Sequence, residues 1–366
     1  LISPYFTLVY FADNPVLSSA YKFIDPSFFD TRYFLDCTLI ALSWFFGYIP
    51  VQKIKFDKSS LDKIVKFKKS PLILGFSLLF LLLFSVTGKG VVIFSGYASY
   101  DISVLGPSAT ILFTSVLFFN YFQRSCVRRV FFIIFLLSSF LMLSLGSRMF
   151  FVLGVISLFL AVLSANKKIL FNPFFYLLLL GLLAFVVWIG LWRAGGDASS
   201  EELVAVFLAE PLFTSVSGAT YIENMGGRPL TGLPVDIFAS VINFIPTIVF
   251  PEKLELISNL TYDPNKYSPF GASALMVNIY SNFGIFFPVY FFAIGIFYGY
   301  LRKKAKYSRF YLAVYFSVLP LLMFHFFRDG FITVIKVLFF NAFILPAVIV
   351  IFLSFIFHKK SKLQRS

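Results

Sequence analysis

The sequence contains few charged residues and a large excess of apolar ones. Only 13% of its 366 residues are charged, 59% are hydrophobic, and the mean hydropathy is +0.88. In soluble domains about a quarter of the residues are charged, so this chain has too few polar side chains to cover a water-soluble globule. Many uncharged runs reach the roughly 20 residues that a helix needs to cross a bilayer. We therefore predict an all-α, polytopic membrane protein.

Cysteine and histidine are also scarce. The chain has Cys37 and Cys126 as its two cysteines, and His325 and His358 as its two histidines. The cysteines fall in or beside predicted spans, on opposite sides of the membrane, which disfavours a disulfide. Two histidines are too few for a metal cluster. We expect no disulfide, no metal and no cofactor.

Ten hydrophobic segments follow one another along the chain, joined mostly by short polar links. Because residue 1 is Leu and not Met, we expect that the true N-terminus precedes it. The predicted spans are 1–12, 33–50, 71–87, 104–121, 130–145, 149–165, 173–192, 283–301, 310–327 and 331–357.

Acidic residues are nearly missing from one side of these spans. The links on the side of the C-terminal tail hold 2 of the 17 acidic residues but 21 of the 31 basic ones. By the positive-inside rule this side is cytoplasmic. The net charge of +14 is therefore a signal of membrane topology, and we expect no nucleic-acid partner.

One long stretch, residues 193–282, lacks a clear span and holds nine acidic residues. Connections are normally short, so we predict that this outward-facing loop is the working face, between N-terminal helices at 1–192 and C-terminal helices with a basic tail at 283–366. Residues 201–218 read as an amphipathic helix, and residues 233–250 are apolar enough to lie in the interface. If both stretches crossed the membrane, the bundle would have about 12 spans rather than 10.

Four cations lie at or inside the outward ends of predicted spans: Arg148, Arg193, Arg328 and Lys336. Charge at this depth is costly and is usually snorkelling, paired or functional. Guanidinium groups bind phosphate oxygens in a bidentate manner, so a lipid diphosphate would suit the set. Four loop tyrosines, Tyr221, Tyr262, Tyr267 and Tyr280, would suit stacking on sugars, although an interfacial aromatic belt is the better explanation for any single one of them.

Five short stretches resemble the bacterial O-antigen polymerase (Wzy-type) family and related polysaccharide-repeat polymerases. They are residues 143–148 (LSLGSR), 245–253 (IPTIVFPEK), 271–273 (GAS), 280–284 (YSNFG) and 327–330 (FRDG). Their order and spacing fit over most of the chain. Asn278 stands where the family pattern leads us to expect an acidic residue.

The resemblance implies a GT-C-like bundle of about 10–12 spans in the bacterial inner membrane, with its C-terminus cytoplasmic and its active face periplasmic. It implies a metal-independent glycosyltransferase that joins undecaprenyl-diphosphate-linked oligosaccharide repeat units. Expected partners are those lipid-linked oligosaccharides and membrane lipid. Whether a polysaccharide chain-length regulator is also required stays open.

The expected site residues fall into two groups. Arg148, Arg193 and Arg328 are the first candidates for the diphosphate, and Arg228 and Lys336 come second. An acceptor hydroxyl needs positioning and a general base. The candidates for that base are Glu210, Glu223, Asp236 and His325.

Three other functions compete with the polymerase. An O-antigen ligase would share the long loop and the lipid-diphosphate donor. A transporter or flippase of lipid-linked oligosaccharide would place charges or broken helices at mid-membrane, whereas most of the outward charges here lie at one membrane face. A non-catalytic scaffold would not need the arginines. Gly295 and Gly299 form a GxxxG pattern that predicts close helix packing whatever the function.

Overall fold

The computed structural model describes residues 29–54, 75, 78–79, 102–122, 125–144, 148–194, 217–226, 228–245, 249–260, 275–328, 331–335, 344 and 348. Within these ranges the regular structure is helical and contains no strand, in agreement with the predicted helical class. The α-helices are α1 (Thr31–Lys53), α2 (Ile102–Tyr121), α3 (Ser125–Ser144), α4 (Arg148–Ala165), α5 (Pro173–Ala194), α6 (217–224), α7 (Val235–Asn243), α8 (Lys253–Leu260), α9 (Leu275–Phe283), α10 (Phe287–Ala305), α11 (Arg309–Arg328) and α12 (Phe331–Ile335). Two 3₁₀ turns cover Lys167–Phe171 and Gly284–Phe286.

Three described helical stretches are long and apolar enough to cross a membrane: Thr31–Lys53, Ser125–Ser144 and Val277–Ala305. Shorter apolar helices cover Ser108–Tyr121, Phe150–Ser164 and Pro173–Phe185. The chain therefore has the elements of a helical membrane protein. The full count of about 10–12 spans stays a prediction, since the predicted spans at 1–12 and 71–87 and most of 331–357 lie outside the described residues or nearly so.

The chain divides into two compact units. The first comprises Leu1–Lys55, Asp197–Lys303 and Leu322–Lys336. The second comprises Phe56–Gly196, Lys304–Leu321 and Val337–Ser366. The first unit contains most of the predicted outer loop together with α1 and nearly all of α10, and it is the unit that holds the candidate site.

Glycines hold α1 against α10 in the first unit. A Cβ on Gly47 would collide with the backbone carbonyl of Phe292, and a Cβ on Gly295 would collide with that of Trp44. A Cβ on Gly299 would lie 2.9 Å from the carbonyl oxygen of Tyr48. Backbones come this close only where one of the facing residues has little or no side chain, so the close packing predicted from the GxxxG pattern is confirmed.

These contacts give α1 and α10 the same direction. Trp44 lies beside Gly295, and further along Gln52 Nε2 donates to the carbonyl oxygen of Gly299 at 3.0 Å. Lys303 Nζ donates to the carbonyl oxygen of Gln52, where a cation meets the exposed carbonyls of a helix C-terminus. The C-terminal ends of both helices, with Lys53 and Lys303, form what we call the basic end of the first unit.

A strap made of residues 228–234 crosses the break between α9 and α10. The amide of Ile285 donates to the carbonyl oxygen of Leu230 at 3.1 Å, and the amide of Leu233 donates to that of Ser281 at 3.1 Å. Gly284 has φ +54°, and a Cβ there would lie 2.5 Å from the oxygen of Leu230. The break thus needs glycine both for its backbone angle and for the approach of the strap.

The helix that follows the strap, α7, is short and amphipathic. Asp236 and Ser240 are buried, whereas Phe238 and Val241 are more than half exposed. Lys253 Nζ reaches back from α8 to the carbonyl oxygens of Asn243 and Ile245, at 3.2 and 2.6 Å, and caps the end of α7. Nine residues rise only about 14 Å, so α7 is too short to cross a bilayer.

In the second unit, α2, α3 and α4 pack together around small and aromatic side chains. A Cβ on Gly154 of α4 would lie 2.8 Å from the ring of Phe135 in α3 and 3.0 Å from Leu112 in α2. Ser157, one turn further along α4, donates to the carbonyl oxygen of Phe316 in α11 at 2.6 Å. Residues 145–147, between α3 and α4, lie outside the described residues, but the two helices are in contact.

The next helix, α5, runs antiparallel to α4. Phe151 stacks edge-on against Phe185 at 6.1 Å between ring centroids, and Phe159 does so against Phe175 at 5.2 Å. The turn Lys167–Phe171 joins the two helices.

At the C-terminus of α2, Arg309 Nε donates to the carbonyl oxygen of Tyr121 at 2.6 Å. A predicted cytoplasmic cation therefore caps a helix end in this unit as well.

Candidate functional site

A largely covered arginine, Arg228, joins the strap to the start of α1. Arg228 Nη1 and Nη2 donate to the two carboxylate oxygens of Asp30 at 3.0 and 2.8 Å. The Arg228 side chain is 10% exposed and that of Asp30 is 46% exposed. Asp30 Oδ1 also accepts the backbone amide of Tyr33 at 2.7 Å, which makes Asp30 the N-cap of α1. One carboxylate therefore both caps α1 and anchors the strap.

A second carboxylate, Asp36, lies on the inner side of the same arginine. Its Oδ2 is 3.8 Å from Arg228 Nε and accepts the hydroxyl of Tyr280 from α9. Asp36 is buried within a candidate span, where an unpaired charge would be costly. Removing one partner of a buried ion pair costs about 3–5 kcal/mol, so Arg228 has a structural role whatever else it does.

Arg228, Asp30, Asp36 and Tyr280 form what we call the ion cluster. Its opposite charges stabilise one another. The hydrogen bond from Arg228 holds the pKa of Asp30 below its ordinary value, against the opposing effect of burial, and the charge of Arg32 acts in the same direction. Burial disfavours the charge on Arg228, yet its hydrogen bonds to Asp30 and the negative charges of Asp30 and Asp36 raise its pKa. Both members of the pair are thus ionised at neutral pH.

Beside this cluster a cleft of about 390 Å³ lies between the strap, α6, α7 and α9. Binding sites for small molecules are typically about 300–1,000 Å³. Its lining residues are Tyr221, Met225, Pro229, Thr231, Gly232, Leu233, Val235, Asp236, Ser281 and Asn282.

Asp236 and Asn282 form the polar part of the cleft wall. Asn282 Nδ2 donates to Asp236 Oδ2 at 2.8 Å, and Asn282 Oδ1 accepts the backbone amide of Asp236 at 3.0 Å. Burial raises the pKa of Asp236, and the hydrogen bond from Asn282 partly offsets that rise. A carboxylate that is desolvated, oriented and lining a cleft is a candidate for proton transfer.

The cleft and the ion cluster are built in part from neighbouring residues of the same two segments, the strap and α9. Arg228 precedes Pro229, and Tyr280 precedes Ser281. Both features also lie away from the basic end, because Asp36 and Gln52 are about 24 Å apart along the axis of α1 at 1.5 Å per residue. The first unit therefore has a polar and partly acidic site at one end of its spans and cations at the other.

Four residues named from the sequence are among those that build this site: Asp236 and Arg228 from the expected site residues, and the loop tyrosines Tyr221 and Tyr280. Asp236 lines the cleft, and Arg228 is in the ion cluster. Glu223, another candidate base, is exposed on α6. It lies two positions after Tyr221, about 200° around the helix, and is not among the residues that line the cleft.

The backbones of Arg328 and His325 lie near the same region. Arg328 is the last residue of α11, three positions before Phe331. The ring of Phe331 lies 5.8 Å from that of Phe283, the neighbour of Asn282 in the chain. This places the C-terminal end of α11 within a few residues of the cleft wall.

Arg148 and Arg193 belong to the second unit, at the start of α4 and one residue before the end of α5. The antiparallel pairing of α4 and α5 brings them to the same end of that hairpin. Glu210, Lys336, Tyr262 and Tyr267 lie outside the described residues. Their predicted roles stay predictions.

The position where an acidic residue was expected, Asn278, is buried one turn before Asn282. Its carbonyl oxygen accepts from Asn282 Nδ2 at 2.9 Å. The stretch 280–284 that carried the family resemblance therefore supplies Tyr280 to the cluster and Ser281 and Asn282 to the cleft.

Sequence reasoning missed Asp30 and Asp36. A signal for Asp36 was present, because it is the one charged residue in the predicted span 33–50. An ionisable residue inside a span is a functional candidate by default. Nothing in the sequence singled out Asp30, an acidic residue in a polar link.

Among the described residues, no three His, Cys, Asp or Glu side chains come close enough to hold a metal ion. Comparison of the chain with models of protein families, with curated proteins and with solved structures finds no match.

Proposed function

We propose that this protein is a membrane glycosyltransferase that joins undecaprenyl-diphosphate-linked oligosaccharide repeat units into polymer. The observation that carries the proposal is the cleft whose wall contains Asp236, oriented by Asn282, together with Ser281 and Tyr221. A carboxylate, an amide, a hydroxyl and an aromatic ring are the groups that bind and activate a sugar hydroxyl. The family resemblance supports the same reading, since one of its five stretches, 280–284, contributes to the cleft wall.

In the proposed reaction Asp236 is the general base. It accepts the proton of an acceptor hydroxyl as that oxygen forms a bond to the anomeric carbon of the donor glycan. The bond from the anomeric carbon to the phosphate oxygen breaks, and undecaprenyl diphosphate leaves with the electron pair. A general base typically contributes about 10²–10⁴-fold to the rate.

The leaving diphosphate needs compensating positive charge, and aligned cations at a leaving group often make the largest single contribution to catalysis. In the first unit Arg228 and Arg328 are the candidates for this role. Arg148, Arg193 and Lys336 stay candidates for binding the diphosphate on the sequence alone. Glu210 and His325 stay rival candidates for the general base on the same ground.

The distribution of charge supports an outward-facing site. Lys53, Arg302 and Lys303 lie at the C-terminal ends of α1 and α10, and the cleft lies away from them. Under the positive-inside rule the basic end is cytoplasmic. The cleft then faces the periplasm, where lipid-linked repeat units are available once they have crossed the bacterial inner membrane.

The test is a polymerisation assay with the purified chain in detergent. The substrate is an undecaprenyl-diphosphate-linked repeat unit, with EDTA present and no nucleotide sugar, and the products are separated on a gel. We expect a ladder of chain lengths from the wild type and none from Asp236→Asn.

The same assay separates the competing functions. A ligase would yield product only when a lipid A core acceptor is supplied. A flippase would move a labelled lipid-linked oligosaccharide across liposomes and form no glycosidic bond. Either result, or the absence of a ladder with several repeat units, would overturn the polymerase proposal.

A further inference from the structure

The Arg228 side chain is largely covered, but its main partner is exposed. The Arg228 side chain is 10% exposed, whereas the side chain of Asp30, which accepts hydrogen bonds from both Nη atoms, is 46% exposed. A protein that needed only to neutralise Arg228 could do so with the buried Asp36 on the inner side. The outer face of the guanidinium is therefore covered by a group that solvent and ligands can reach.

The hydrogen-bonding capacity of Arg228 is not used up by Asp30. Its Nε is buried and has no hydrogen-bond acceptor among the described residues, because Asp36 Oδ2 at 3.8 Å lies beyond hydrogen-bond range. A carboxylate offers two oxygens to the guanidinium. Each phosphate of a diphosphate also offers at least two non-bridging oxygens, and the two phosphates together carry more negative charge than one carboxylate.

The position of the Asp30 carboxylate is favourable for an anion in general. It lies at the N-terminus of α1, where the backbone amide of Tyr33 donates to it, and Arg32 adds positive charge nearby. The Arg228 guanidinium, the Tyr33 amide and the charge of Arg32 thus all favour an anion at the place that this carboxylate occupies. The same features bind phosphate groups at many helix N-termini.

We propose that Asp30 is an intramolecular placeholder for a phosphate group, which binds Arg228 by displacing the Asp30 side chain. Asp36 stays in place during the exchange, since it is buried and held by Tyr280. The identity of the natural ligand as a lipid-linked diphosphate rests on the proposed function. The anion subsite itself rests on the geometry of Arg228.

The exchange would also connect anion binding to the cleft. Arg228 begins the strap, and strap residues Pro229, Thr231 and Gly232 line the cleft. In the resting protein the Arg228–Asp30 pair ties this strap to α1. A phosphate on Arg228 would release that tie, so that binding of the donor alters the wall of the acceptor cleft.

The test measures binding of inorganic pyrophosphate to the purified full chain by isothermal titration calorimetry. Asp30→Asn keeps an N-cap and the shape of the side chain but removes the competing charge. We expect it to bind pyrophosphate at least tenfold more tightly than the wild type. Asp30→Ser, a second substitution that keeps a good N-cap, should behave in the same way if the first variant is unstable.

Two controls separate this subsite from a general effect of charge. Glu252→Gln removes one exposed acidic residue elsewhere in the first unit and should leave the affinity unchanged. Arg228→Lys keeps the charge but loses the bidentate fork, and it should abolish the gain caused by Asp30→Asn. Equal affinity of Asp30→Asn and wild type, or a gain that survives Arg228→Lys, would overturn the proposal.

A further arm distinguishes the source of the phosphate. If undecaprenyl diphosphate displaces pyrophosphate at lower concentration than inorganic phosphate does, the site is for a lipid headgroup. If inorganic phosphate competes equally well, the anion subsite stands and its lipid assignment is wrong. Because neither binding assay involves sugar transfer, a missing polymer ladder with intact pyrophosphate binding would reject the polymerase and leave the subsite.

Discussion

Asn282 makes two hydrogen bonds to Asp236: its Nδ2 donates to the carboxylate oxygen Oδ2 at 2.8 Å, and its Oδ1 accepts the backbone amide at 3.0 Å. The pair joins the start of α7 to the end of α9. It leaves Asp236 in the wall of the cleft with a fixed orientation. In the proposed reaction Asp236 accepts the proton of the acceptor hydroxyl, and Asn282 is its positioning partner.

The first prediction concerns the loss of that carboxylate. Asp236→Asn is nearly isosteric, so the fold should survive, but the cleft loses its base. The polymerisation rate should fall by about 10²–10⁴-fold, measured as product formed per minute on gels. Glu252→Gln, a change of an exposed acid outside the cleft, serves as the control. A rate within a few fold of wild type for Asp236→Asn would reject the assignment of the base.

The second prediction concerns pH. A base works when deprotonated, so the rate should rise as the pH passes upward through the pKa of Asp236. Because burial raises that pKa, the acidic limb of kcat against pH should lie above the ordinary value of about 3.9 for aspartate. Asn282→Leu removes the hydrogen bond that lowers the pKa and should move the limb to still higher pH. An unchanged limb in that variant would contradict the pairing.

The third prediction concerns acid stability. The pKa of Asp30 is lowered in the folded state, so its ion pair stabilises the fold above the unfolded pKa of about 3.9 and loses this effect as the pH falls through the folded value. Wild type should therefore lose more thermal stability than Asp30→Asn between about pH 5 and pH 2. The measurement is Tm against pH in detergent. Parallel curves for the two proteins would show that the pair has no part in acid unfolding.

The fourth prediction concerns the contact of α1 with α10. Gly295→Ala places a methyl group against the carbonyl of Trp44 and should destabilise the protein by about 1–3 kcal/mol. Gly181 of α5 is the matched control, because no atom of the described residues lies within 4 Å of its added Cβ. Gly181→Ala should be neutral or stabilise by up to about 1 kcal/mol. Equal loss of stability in both variants, by denaturant unfolding in detergent, would argue against close packing at Gly295.

Much of the helical fold could be predicted from local sequence. The predicted spans at 33–50, 104–121 and 173–192 agree with α1, α2 and α5 to within a few residues. Span length and hydropathy are properties of a continuous segment, so they can be read without knowing its neighbours. The GxxxG pattern predicted close packing in the same way but did not name Gly47 as the facing residue.

The candidate site was harder to predict because its residues are far apart in the chain. Asp30 and Arg228 are separated by 198 positions, Asp36 and Tyr280 by 244, and Asp236 and Asn282 by 46. Asp236 and Arg228 were among the sequence candidates, but Glu223 was indistinguishable from Asp236 there. Burial separates the two, since Asp236 is 6% exposed and Glu223 lies on the surface of α6.

The sequence by itself determined that the chain is helical and apolar enough to lie in a membrane, and it separated a basic side from an acidic one. Those features depend on composition and on runs of about 20 residues. Only the tertiary structure decided which polar groups meet. It placed the strap across the helix break at Gly284, which brought Arg228 to Asp30 and Asp236 to Asn282. Such pairings depend on which helices lie side by side, and the spacing of residues along one chain does not specify that.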